Sequence, residues 1–310
     1  MGTPLFAVPC LKMLVEEKYE IACVITQPDR PKGRGGKFEA PPTKLFAIEN
    51  GLTVAQPENV DAFYEEACVL APDLFITVAF GGILKQRMLN VPKHGCINVH
   101  ASLLPQYRGP SPMQQALLNG DKMTGITTML TDKGIDTGDI LLKQTLEIPP
   151  DMYFDELHDR MALLGADTLK KTIPLYLSGE IIPEKQDHTQ ATKAPMLRKE
   201  ISVIDFSQNA DRIINKVRAL NPWPGTLAEL DGKKLKIIKA HLVEMDAACQ
   251  TENLQPGVIL DVTKDVMVVA CGKGSIGITV LQFQNKKPMD ISACWHNIKK
   301  GSLLKGGVFD

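Results

Sequence analysis

Short β-rich runs alternate with helical patterns through the first 185 residues, the sequence sign of a mostly parallel, doubly wound sheet covered by helices. Strand runs fall at 20–26, 74–80, 96–100 and 125–130, and helical patterns at 8–17, 43–50, 112–119 and 153–177. Gly51 suits a helix C-cap, and Pro112 suits a first helical turn. In an open sheet of this kind ligands gather beyond the carboxyl ends of the strands, so polar residues there carry the most information.

The alternation ends near residue 185. The stretch 186–200 is polar, aperiodic and interrupted by Pro195, and reads as a linker. Beyond it one helical pattern, 209–220, runs into Asn221-Pro222-Trp223-Pro224-Gly225, after which short strands and turns suggest a small, OB-like β-barrel. The expected organisation is a domain over 1–185, a linker over 186–200 and a smaller barrel domain over 201–310. With 310 residues and 44% hydrophobic side chains, the chain can fill two cores.

Charge excludes some classes. Lys and Arg number 35 and Asp and Glu 36, a net of -1, so there is no chain-wide basic excess of the kind that marks many nucleic-acid binders. The two parts differ, however: residues 201–310 hold 14 basic and 11 acidic side chains (+3), leaving 21 and 25 (-4) in residues 1–200. Apolar runs such as 74–80 fall far short of the roughly 20 residues of a membrane span, and no basic-then-apolar leader opens the sequence. A soluble cytoplasmic protein, with no membrane partner and acting as a monomer, is the expectation. Cysteines at 10, 23, 68, 96, 249, 271 and 294 are scattered, with no CxxC pair, and read as buried thiols. His94 and Cys96 lack a second ligand pair at zinc spacing, so no metal is expected.

Gly272-Lys273-Gly274-Ser275-Ile276-Gly277 matches a dinucleotide fingerprint, but β-type residues follow it where a phosphate-binding helix would be needed, so it reads as a hairpin turn. More informative is the run 96–109. Period-2 alternation puts Asn98 and His100 on one face of a strand, roughly 7 Å apart, at its C-terminal end. Downstream, Asp132, Asp136 and Asp139 are interleaved with Gly134 and Gly138, which permit tight turns that aim a carboxylate inward. An Asp near a His favours and orients imidazolium. No nucleophile elbow or candidate catalytic cysteine accompanies them, so the set suits direct transfer to an external nucleophile. Residues 28–38 carry Arg30, Lys32, Arg34 and Lys37 on a Gly-rich, Pro-interrupted stretch, expected to be a mobile loop able to order against phosphates.

Taken together the motifs resemble the methionyl-tRNA formyltransferase family over nearly the whole chain. Residues 1–9, MGTPLFAVP, resemble its opening motif, and residues 28–37 its basic insertion. Asn98-Val99-His100-Ala101-Ser102-Leu103-Leu104-Pro105 with Asp136-Thr137-Gly138-Asp139 resembles the signature of enzymes that use 10-formyltetrahydrofolate, and residues 221–225 resemble a C-terminal-domain motif. The resemblance implies a formyltransferase domain followed by a tRNA-binding β-barrel. It implies catalytic roles for Asn98, His100 and Asp136, and folate contacts from Ser102, Leu103, Leu104 and Pro105. It further implies tRNA contacts from Arg30, Lys32, Arg34 and Lys37, with initiator Met-tRNA and 10-formyltetrahydrofolate as substrates. The family also implies a short apolar central strand before Gly2-Thr3-Pro4, so a start recorded too late is expected here. Two other readings compete: a formyltransferase of the same fold acting on a small amine, and a catalytically inactive RNA-binding scaffold.

Overall fold

The computed structural model describes residues 1–32, 36–243 and 254–307. Two compact units emerge, one of residues 1–112, 123–147 and 158–194, the other of 113–122, 148–157 and 195–310.

In the first unit, α1 (Val8–Glu16), β1 (Val24–Ile25), the ribbon β2 (Arg30–Lys32) and β3 (Lys37–Glu39), α2 (Pro42–Glu49) and β4 (Val54–Ala55) come first. Then follow α3 (Tyr64–Leu70), β5 (Phe75–Val78), α4 (Gln86–Leu89) and β6 (Cys96–His100). The helix α5 (Pro112–Asn119) belongs almost wholly to the second unit, and β7 (Met123–Leu130) and β8 (Ile140–Glu147) return to the first. The long α6 (Phe154–Leu177) completes it.

β1 pairs in parallel with β4, and β5 in parallel with β6. The first residues join these pairs: Gly2 N–H donates to Ile25 O at 3.0 Å, Val78 N–H donates to Met1 O at 3.0 Å, and Gly2 bridges Val78 in parallel. Antiparallel β7 and β8 extend the far edge. The sequence reading lacks β8, whose inward positions are only partly buried along its outer half. Beside residues 1–3 lies a cavity of about 440 Å³ lined by residues of α1, β1, α3, β5 and α6, among them Cys10, Val24, Ala67, Phe75 and Ile173. The Met1 ammonium donates to Ile76 O at 2.6 Å, and burial holds its pKa below the usual amine value.

Helix α6 buries Met161, Leu169 and Ile173, which with Gly165 make an i, i+4 stripe facing the sheet. It comes close at Gly165, where an added Cβ would lie 3.2 Å from Val99 and 3.7 Å from Ile126. Thr172 reaches back to Thr168 O and pairs with Thr128 Oγ1 at 2.8 Å, fixing helix against strand.

The second unit is built on α7 (Ala210–Leu220), β9 (Thr226–Leu230), β10 (Lys233–Val243), β11 (Ile259–Val262), β12 (Met267–Ala270), β13 (Ser275–Phe283), β14 (Met289–Asp290) and β15 (Leu304–Gly306). The antiparallel sheet runs β11-β12-β13-β10-β9-β15, with β14 on β13. Its ends meet: Ile259 N–H donates to Ser302 O at 2.9 Å, and Leu304 N–H to Gly257 O at 2.8 Å, so the sheet curls into the expected barrel. Ile213, Ile214 and Val217 of α7 join Leu235, Ile237 and Ile278 in its core. Asn221 ends α7 by donating to Val217 O and Ile237 O, which tethers the helix to β10. Arg218, 6% exposed, donates to Met152 O, Pro149 O and Asn215 Oδ1, so each nitrogen of its buried guanidinium is hydrogen-bonded. The GxGxxG match is the turn between β12 and β13, as its sequence context predicts.

Candidate active site

The strand β6 presents Asn98 and His100 on one face at its C-terminal end, the position expected from period-2 alternation. Thr77, directly across from Asn98 on β5, donates its hydroxyl to Asn98 Oδ1 at 2.9 Å. That bond uses the carbonyl end of the carboxamide, and among the described residues the Nδ2 end has no hydrogen-bond acceptor. Asn98 is therefore a donor set in place by its neighbour strand.

His100 is 6% exposed. Its Nε2 lies 3.0 Å from Tyr107 O, and because a carbonyl only accepts, that nitrogen carries a hydrogen. Nδ1 faces Asp136, 3.6 Å from Oδ2. The distance is long for a hydrogen bond, so imidazole and carboxylate face one another across a narrow gap.

Asp136 reaches this position through an unusual loop. Its φ is +53°, in the left-handed region that costs a non-glycine residue about 1 to 2 kcal/mol. Asp132 braces the loop by accepting from Gly134 N–H and Thr137 Oγ1. Gly138 passes so close to Leu130 O that a Cβ would sit 1.8 Å from it, which explains the glycine there. Gly109 N–H donates to Asp136 Oδ2 at 2.8 Å. Gly109 itself has φ +120°, and a Cβ would lie 2.6 Å from Ala194 O.

The segment 102–105 packs against the same sheet. Ser102 is fully buried and donates to Gln106 O at 2.6 Å, while Thr127 Oγ1 donates to Ser102 O and accepts from Leu104 N–H. Leu104 sits in a small core with Met129 and Ile140, and Leu103 and Pro105 are half-buried. Ser102 and Leu104 thus shape the segment, and Leu103 and Pro105 are the side chains left at its surface.

The basic segment 28–38, expected to be a loop, contains β2 and β3, which form an antiparallel ribbon pairing Arg30 with Glu39 and Lys32 with Lys37. Pro31 is tolerated because a two-stranded ribbon leaves half its amide positions unpaired. Arg30, exposed, pairs with Glu58 at 2.9 Å. Arg34 lies outside the described residues. No cluster of three or more His, Cys, Asp or Glu that could hold a metal occurs among the described residues, and no described helix is long and apolar enough to cross a membrane.

Residues that the sequence reading missed are Thr77, inside an apolar run, and Arg108 and Gln186. Arg108 Nε and Nη2 donate to Gln186 Oε1 at 3.1 and 2.6 Å, and Gln186 Nε2 donates to Asp136 O and Gly138 O at 2.9 and 2.7 Å.

Comparison with known proteins gives the family and the fold. A formyl transferase profile matches residues 1–173, and a formyl transferase C-terminal domain profile matches residues 196–299. The chain is 46% identical over 308 residues to a methionyl-tRNA formyltransferase of Acetivibrio thermocellus, covering 98% of each, and 48% identical over 289 residues to that of Geobacter metallireducens, covering 93% of this chain and 91% of the relative. Among solved structures, a sugar 3N-formyl transferase, WlaRD, matches at TM-score 0.66 and 22% identity over 92% of this chain and 97% of that one. An N-formyltransferase from Helicobacter canadensis, solved with folinic acid and dTDP-3-aminofucose, matches at TM-score 0.66 and 21% identity over 91% and 97%. These structural likenesses speak to the fold, and the sequence identities to the family: the chain belongs to the methionyl-tRNA formyltransferases.

Proposed function

We propose that this enzyme transfers the formyl group of 10-formyltetrahydrofolate to the α-amino group of methionine esterified to initiator tRNA. The amine attacks the formyl carbon, and the carbonyl oxygen becomes an oxyanion that needs hydrogen-bond donors placed beforehand. Asn98 Nδ2, aimed by the bond from Thr77 to Oδ1 and without an acceptor among the described residues, is one such donor. His100 Nδ1–H, in the gap beside Asp136, is the second. Asp136 stabilises the imidazolium and takes the proton released by the attacking amine, directly or through a water. Collapse breaks the bond to the folate nitrogen, which takes up a proton, and formylmethionyl-tRNA leaves.

The observation that carries this reading is the approach of His100 and Asp136, far apart in sequence, to 3.6 Å at the end of a strand that also presents Asn98. Ser102 to Pro105 form the folate-facing segment, with Leu103 and Pro105 as the side chains able to touch the pterin. Arg30, Lys32, Arg34 and Lys37 contribute the phosphate contacts of the tRNA, whose sequence-independent share of affinity is electrostatic. The enzyme works as a monomer in the cytoplasm. Formylation of purified initiator Met-tRNA in the presence of 10-formyltetrahydrofolate, followed by chromatography of the released methionine, tests the proposal: formylmethionine is expected, and its absence with active cofactor and charged tRNA would reject it.

A further inference from the structure

We infer that Gln186 is a positioning residue for Asp136, and that Arg108 fixes Gln186 in the one orientation that allows it. The inference deepens the proposed function and rests on Asp136 acting in formyl transfer.

Gln186 comes from a stretch that the sequence alone reads as linker, yet it is 6% exposed. Its carboxamide is committed at both ends. The two Nε2 hydrogens go to Asp136 O and Gly138 O, on either side of Thr137, and Oε1 receives two hydrogens from the Arg108 guanidinium. A reversed amide would turn an oxygen toward two carbonyls and an NH2 toward a cation, so the orientation is fixed by its partners. Arg108 in turn is anchored through its main chain, its N–H donating to Thr192 O and its carbonyl accepting from Ala194 N–H.

The consequence falls on Asp136. A non-glycine residue at φ +53° persists only when its surroundings over-determine it. Gln186 supplies that constraint by gripping the loop at residues 136 and 138. The residues flanking Arg108 complete the arrangement: Tyr107 O meets His100 Nε2, and Gly109 N–H holds Asp136 Oδ2. One tripeptide, 107–109, thus touches the imidazole, the carboxylate and the residue that holds the carboxylate's loop. Gln186 meets the Asp136 loop through main-chain carbonyls only, and its other partner is the Arg108 guanidinium, so it acts on where Asp136 stands and not on substrate.

Displacing a catalytic group by about 1 Å can cost on the order of 100-fold in rate. For Gln186→Leu, which keeps the bulk and removes all four hydrogen bonds, kcat is expected to fall roughly 10- to 100-fold, with KM for both substrates within about threefold of the parent. Gln186→Glu keeps the partner for Arg108 but cannot donate to the two carbonyls, and should be as slow as Gln186→Leu at neutral pH. Thermal melts of both variants separate loss of position from loss of fold. Steady-state kinetics of Asp136→Asn run alongside. If Asp136→Asn is slow and Gln186→Leu, folded, turns over within twofold of the parent, the positioning role is wrong while the site reading stands. A raised KM with unchanged kcat would equally overturn it, and normal turnover by Asp136→Asn would remove the site reading itself.

Discussion

Oδ2 of Asp136 lies 2.8 Å from Gly109 N and 3.6 Å from His100 Nδ1. The carboxylate is therefore held by the main chain and faces the imidazole without being consumed by it. A pair locked in a short ion pair would resist donating or accepting a proton, whereas at 3.6 Å the two groups are not bonded to each other and each can engage a reacting group that arrives beside them. His100 is likewise held from behind through Tyr107 O. Both groups are oriented before substrate arrives, the arrangement that electrostatic stabilisation of an oxyanion requires.

Removing either donor should damage turnover and spare tRNA affinity. Asn98→Ala and His100→Ala are each expected to lose about 100- to 1000-fold in kcat, the usual cost of one oxyanion donor. Filter binding of Met-tRNA should give dissociation constants within about threefold of the parent. Turnover near the parent's in either variant would contradict the assignment.

Thr77→Val tests whether Asn98 is aimed or merely present. Valine fills the same space but cannot donate to Asn98 Oδ1, so the carboxamide is free to turn. A fall in kcat of about tenfold is expected, about 1.4 kcal/mol in the barrier. Combined with Asn98→Ala, Thr77→Val should add little, because it acts through Asn98. Multiplicative losses in the double variant would show an independent role for the hydroxyl.

Much of the frame was legible in the sequence, for identifiable reasons. Strand 96–100 and helix 112–119 occupy the bounds that alternation and the Pro112 start imply. Asn98 and His100 share a face because a strand repeats every two residues. That Asp136 meets His100 could come only from family resemblance, since spacing carries no information across so long a separation. Gln186 was hidden because a buried glutamine in a polar stretch looks like a solvated one until its partners are known. Thr77 was hidden in the opposite way, as one polar residue in an apolar strand. β8 was missed because six of its eight residues are only partly buried or exposed, so its apolar face is weak.

The basic segment 28–38 should act on tRNA alone. Arg34→Ala is expected to weaken Met-tRNA binding and to reduce the slope of log affinity against log salt by about 0.7 to 0.9, the share of one phosphate contact. Folate binding measured by fluorescence quenching should stay unchanged. Coincident salt titrations for parent and variant would remove this residue from the tRNA interface.

Thiol chemistry gives an independent check on burial. Desolvation pushes Cys10 and Cys271 up to about 12, so both remain protonated through pH 8, whereas Cys68 is exposed. Because the thiolate is the reacting form, Cys68 should be labelled by a disulfide reagent at pH 8 while Cys10 and Cys271 stay unmodified until denaturant is added. Peptide mapping reads the order. Early modification of Cys10 in folded protein would contradict the packing of α1 against the sheet.

Side-by-side formylation assays on initiator Met-tRNA, elongator Met-tRNA and a small amine such as an amino sugar nucleotide, all with 10-formyltetrahydrofolate, probe the chemistry and its substrate together. The expected result is rapid formylation of initiator Met-tRNA, slow formylation of the elongator, none of the small amine, and loss of the initiator signal in His100→Ala. Faster transfer to the small amine than to Met-tRNA, or no transfer to any of the three, would contradict it.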